Sequence, residues 1–234
     1  MAVHEPLSRR SPEEAKGLSP RRWASFAAVD RPRDVPVLLL ALLAAFTSIA
    51  ALIFHALGWM RMPFTVSFLT VPGLVLLAGL GLWAGRTERA LLLNRLIVGA
   101  VAGLVGLLAY DLARWLVQAA FPVDFDAFFS MRAFGTLMTG LPPESARAAL
   151  AGWAYHVSNG ITFGIVYCCI AGPARWWFGL AWGLVLETGM ILVYLTTFDP
   201  SPLRGFLVVS IVGHLVFGAT VGLISERHAL GASR

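Results

Sequence analysis

Charge is scarce in this chain. Only 13% of its 234 residues are Asp, Glu, Lys or Arg, about half the ~25% usual in soluble domains. With a mean hydropathy of +0.74 and repeated long apolar runs, that scarcity excludes an ordinary water-soluble fold. Lysine is almost missing: Lys16 stands alone, and with none in the last apolar run a retinal Schiff base is excluded. Cysteine is limited to the adjacent pair Cys168 and Cys169. Neighbouring helical residues point about 100° apart, so this pair forms no structural disulfide, and C-x2-C zinc spacing is absent. The chain also lacks H-E-x-x-H, G-x-S-x-G, a Walker sequence and a dinucleotide fingerprint. It thus lacks the usual apparatus of metalloproteases, serine hydrolases, nucleotide hydrolases and nucleotide-dependent oxidoreductases.

What is present is a series of six apolar runs, near 36–57, 65–84, 92–117, 149–170, 176–197 and 205–225. Each approaches or exceeds the ~20 residues that cross about 30 Å of hydrocarbon as a helix. A lipid-exposed backbone must satisfy its own hydrogen bonds, so every run is predicted to be helical. The fold class is therefore all-α, a six-transmembrane helical bundle over 36–225. It is preceded by a polar, proline-containing cytoplasmic tail over 1–35, mostly disordered by composition, and followed by a short cytoplasmic tail over 226–234.

Orientation follows from the basic residues. If the N-terminus is inside, the inner segments hold 13 of the 18 Lys and Arg residues, among them Arg9, Arg10, Arg21, Arg22, Arg86, Arg89, Arg175 and Arg227, against five outside. Cytoplasmic loops carry that excess, so both termini are expected in the cytoplasm of a bacterium, with the bilayer as the first partner. The net charge of +5 is read as this topological signal and not as a nucleic-acid footprint. The one long connection, 119–148, is crowded with Phe121, Phe125, Phe128, Phe129 and Phe134. Asp124 or Asp126 at its start and Gly140 at its end predict a short helix near 124–140 on the outer membrane surface.

Ionisable residues inside the spans carry the functional information, because each costs about 2.5 kcal/mol or more at a span centre unless it faces a bundle interior or water. Four spans supply one each. Residues four apart share a helix face, and the four stripes read Gly99-Gly103-Leu107-Asp111, Gly152-His156-Gly160-Gly164, Gly179-Gly183-Glu187-Ile191 and Ser210-His214-Gly218-Gly222. Asn159 adjoins the second; Tyr110 and Arg114 adjoin the first. Small-x3-small stripes let backbones approach closely. The expectation is a glycine-lined waist toward the cytoplasm, beneath a layer of Asp111, His156, Asn159, Glu187 and His214 that opens outward.

Such a layer has several uses. Two imidazoles and a carboxylate, His156, Glu187 and His214, match the ligand set of a divalent first-row metal ion. The same groups suit a proton relay, since histidine changes charge near neutral pH. An organic ligand, or plain hydrogen bonding that fixes helix register, fits as well. The functional expectation is a carrier or sensor for a proton or metal ion.

The last span, His214-Leu215-Val216-Phe217-Gly218-Ala219-Thr220-Val221-Gly222, paired with an earlier span bearing a similarly placed histidine, resembles the closing helices of small uncharacterised bacterial polytopic inner-membrane proteins. That resemblance implies the bacterial cytoplasmic membrane and no particular activity. Six spans behind a short charged tail are also similar in layout to the polytopic membrane anti-sigma factors of myxobacteria. This second resemblance implies an alternative: a negative regulator holding a cytoplasmic protein partner through residues 1–34.

Overall fold

The structure, a computed structural model, describes residues 34–87, 89–198 and 203–231; the tail expected to engage a protein partner lies outside them except for Asp34. The described residues form helices and no strand. Six helical segments are long and apolar enough to cross a membrane: Val35–Ala56, Met62–Arg86, Ala90–Ala120, Ala146–Ala171, Trp177–Thr197 and Leu203–His228. The chain is a multi-pass membrane protein.

The first span, α1 (Val35–Ala56), carries Pro36 in its first turn, where a missing N–H costs nothing. Its buried face is made of small residues: Ala41, Ala44, Ala45, Ser48 and Ala51, with Leu52. The second span is broken into α2 (Met62–Thr65), a π turn (Val66–Thr70) and α3 (Val71–Arg86). The π turn ends just before Pro72, which lacks an N–H and would crowd the carbonyl four residues back; a widened turn relieves both. α4 (Ala90–Ala120) has 31 residues, about 46 Å at 1.5 Å per residue, and so exceeds the hydrocarbon thickness. The remaining helices are α5 (Phe129–Thr139), α6 (Ala146–Ala171), α7 (Trp177–Thr197) and α8 (Leu203–His228).

Among the described residues, five helices close a ring. α4 packs on α6 and on α8, α6 on α1, α1 on α7, and α7 on α8, while α6 barely touches α7 or α8 across the centre. α3 lies outside, against α1 and α4. Glycine lets neighbouring helices meet backbone to backbone. A Cβ at Gly103 would overlap the carbonyl oxygen of Gly160, and one at Gly164 the carbonyl oxygen of Gly99. The stripes of α4 and α6 therefore interlock backbone to backbone. Gly179 and Gly218 do the same for α7 and α8. Gly152 and Gly135 form a third such contact, between α6 and α5, so the single waist expected from the sequence is three separate glycine seams.

One end of the bundle is fastened by polar contacts. Arg89 Nη1 donates to Asp34 Oδ1 at 2.5 Å, and Asn94 donates to the His228 carbonyl at 3.1 Å while accepting from the Leu230 N–H at 2.7 Å. The Trp176 N–H at the start of α7 donates to Glu226 Oε2 at 3.0 Å. Asp34 and His228, which flank the six spans, consequently share this end.

The opposite end carries the phenylalanine-rich connection. Asp126 does shape the entry to α5: its Oδ1 accepts from the Phe128 N–H at 2.9 Å. The helix begins only at Phe129 because Phe125 is buried among Phe129, Tyr194 and Phe206 and holds the chain in a turn. It stops where expected, at Gly140 with φ of 68°, a conformation glycine adopts without strain. α5 packs against α6, buries Ser130, Met131 and Phe134, and reaches the ring interior.

Candidate functional site

A cavity of about 700 Å³ of empty space, counting its open mouth, occupies the ring. Its walls differ. Tyr110 of α4 stands between His156 of α6 and His214 of α8, with Asn159 farther along α6. Leu52 and Ile53 of α1, Phe134 of α5, and Met190 and Val193 of α7 form the apolar remainder. One arc of the wall is thus polar and the other greasy.

Each histidine is backed by a carboxylate. His156 Nε2 lies 3.0 and 3.2 Å from the two oxygens of Asp111. His214 Nδ1 lies 2.6 Å from Glu187 Oε2 and 3.0 Å from the Ser210 carbonyl oxygen. Carboxylate and carbonyl oxygens accept, so the nitrogen facing them carries the proton. In the neutral ring the other nitrogen, Nδ1 of His156 and Nε2 of His214, then bears a lone pair. The helical spacing produces this arrangement directly: Ser210 sits one turn before His214, and its hydroxyl also donates to Glu187 Oε2 at 2.6 Å.

Tyr110 links the two pairs. Its ring centroid is 5.9 Å from that of His156 and 5.0 Å from that of His214, the latter edge-on. Behind it, the Arg114 guanidinium lies 4.8 Å from the centre of the same ring and 3.9 Å from Asp111 Oδ1. Arg114 is 1% exposed, yet its Nε and Nη1 have no hydrogen-bond acceptor among the described residues. Glu187, 3% exposed, has one oxygen crowded by two donors and the other, Oε1, with none. Buried polar atoms left open in this way are rare and point to a proton, a water or a chemical role.

The structure brings the expected residues together only in pairs. Among the described residues no three His, Cys, Asp or Glu side chains converge as a metal site requires. The proposed trio of His156, Glu187 and His214 is corrected to a Glu187–His214 pair, with His156 turned to Asp111 and Tyr110 between. Helix order is the physical reason: α4 is inserted between α6 and α8. Asn159 belongs to neither pair; its Oδ1 accepts from the Ser48 hydroxyl of α1, while the Tyr155 hydroxyl donates to the Ser48 carbonyl at 2.7 Å. Ser48 escaped the sequence reading, and Ser210 was placed on a stripe without a role, because neither is ionisable. Ser210 did carry a signal, four residues before His214 on the same stripe; Ser48 carried none.

No curated protein and no solved structure matches the chain. The match that exists covers residues 93–232, from the first turn of α4 through α8. It therefore contains Asp111, His156, Glu187 and His214 and leaves out α1 to α3. On that match over more than half its length, the chain belongs to a family of unknown function, DUF6789.

Proposed function

We propose that this protein is a carrier or sensor of the bacterial cytoplasmic membrane, in which occupation of the central cavity is coupled to protonation of two carboxylate–histidine pairs. The observation that carries the reading is the position of both histidines on the cavity wall, each with its proton-bearing nitrogen fixed by a carboxylate. A ring held in this way takes up a proton at its other nitrogen with the counter-charge already in place. The unpartnered Glu187 Oε1 is a second place where a proton can reside. Orientation in this reading follows the arginines, with the Asp34 and His228 end in the cytoplasm.

The test is ¹⁵N NMR of the imidazoles in lipid nanodiscs, with His156 and His214 identified by single substitution. Each ring should show a fixed neutral tautomer, with the proton on Nε2 of His156 and on Nδ1 of His214, and should pass to imidazolium as the pH is lowered. Glu187→Gln should disturb His214 and leave His156 unchanged. Two rings that keep one protonation state however far the pH is lowered in the folded protein would remove the proposal.

A further inference from the structure

Deepening the reading just given, on which it rests for the cavity, we infer that the cavity binds a flat, apolar molecule bearing hydroxyl donors, of the phenol or hydroquinone class, through the lone pairs of His156 Nδ1 and His214 Nε2. Three observations carry this. The acceptors behind the rings hold the protons at His156 Nε2 and His214 Nδ1, so both neutral histidines offer acceptors to an occupant and call for donors on it. The two imidazole rings flank a single aromatic ring, Tyr110, which suits a rigid body with a polar group at each end. The rest of the wall includes Phe134, Phe163 and Phe217, surfaces on which a planar ring stacks.

Charge and protonation then decide what is excluded. The ionisable groups around the two histidines are Asp111, Tyr110 and Arg114 from α4 and Glu187 from α7. With neutral imidazoles, the carboxylates and Arg114 leave no surplus positive charge to hold an anion. A ligand with only carbonyl acceptors meets two lone pairs.

The experiment uses the full chain in nanodiscs under anaerobic conditions, with tetramethylhydroquinone as probe. Its dimethyl ether and the corresponding quinone keep the shape and remove the donors. Gly189→Leu serves as the filled-cavity control, because Gly189 lines the cavity and has open space where a Cβ would project. Isothermal titration should give saturable binding of the hydroquinone to the unsubstituted protein. Affinity should be about tenfold or more weaker for the ether and the quinone, since a polar site rejects analogues that lack the matching group. Gly189→Leu should abolish the saturable component. His214→Phe should weaken binding and His214→Gln, which retains an acceptor oxygen, should restore part of it. Equal affinity for hydroquinone and ether, preference for the quinone, absence of saturable binding, or binding unchanged in Gly189→Leu each overturns the inference. The ligand comparison needs no substitution, so a variant that fails to fold does not obscure it. Histidines that titrate in the NMR experiment while hydroquinone fails to bind would sink this inference alone; rings that never titrate would sink the proton-coupled reading alone.

Discussion

His214 Nδ1 and Glu187 Oε2 lie 2.6 Å apart, across the seam where Gly183 lets α7 approach the His214 carbonyl. The contact joins two helices that bury few other polar groups, and it leaves Glu187 Oε1 open. Removing one partner orphans the other in an apolar interior. Glu187→Ala should therefore lower stability by about 1–3 kcal/mol, whereas Glu187→Gln, which still accepts from Nδ1, should cost clearly less. A double-mutant cycle with His214→Ala, read by thermal unfolding in nanodiscs, should give a coupling near the ~0.6–1.7 kcal/mol found for hydrogen bonds between membrane helices. A coupling of zero would mean the pair is not formed.

Arg114 and Asp111 should respond unequally. Arg114 is fully buried with two unanswered nitrogens, so part of its desolvation is uncompensated. Exchange for methionine, which fills similar space, should be close to neutral in thermal unfolding. Asp111→Ala leaves the guanidinium without its counter-charge and His156 without its acceptor; the loss should reach about 3–5 kcal/mol. Comparable losses for the two substitutions would contradict the assignment.

The glycines separate into two kinds. Gly103 and Gly218 face carbonyl oxygens of the neighbouring helix, while Gly79 has open space around it. Gly79→Ala should raise the melting temperature slightly, because alanine is favoured over glycine in a helix by about 0.5–1 kcal/mol. Gly103→Ala or Gly218→Ala forces a seam apart and should lower it by several degrees, outweighing the same propensity gain. A stabilising Gly103→Ala would mean that α4 and α6 do not pack as described.

Topology can be read by labelling. In a Cys168→Ala, Cys169→Ala background, cysteines at Thr87 and Gly231 should react with a membrane-impermeant maleimide only after the inner face is exposed. A cysteine at Glu144, in the connection after α5, should react in intact cells. The reverse pattern would invert the arginine-based orientation.

Much of this molecule is written in local pattern. The six spans lie within a few residues of their expected ends, since length and hydropathy fix where a helix can cross hydrocarbon. The four stripes also read directly, and their glycines do line helix contacts, because i and i+4 share a face in any helix. Neighbour order and rotation were not legible, for they depend on which stripe fits which partner across distances no local window spans. The insertion of α4 between α6 and α8 divides one imagined layer into two carboxylate–histidine pairs, with Tyr110 between them. The packing of α5 against α6 turns the 119–148 connection into a wall of the cavity. The sequence thus determined which polar groups enter the membrane and on which stripes; the tertiary packing decided who their partners are, and so that the site holds two separate carboxylate–histidine pairs where three convergent ligands had been expected.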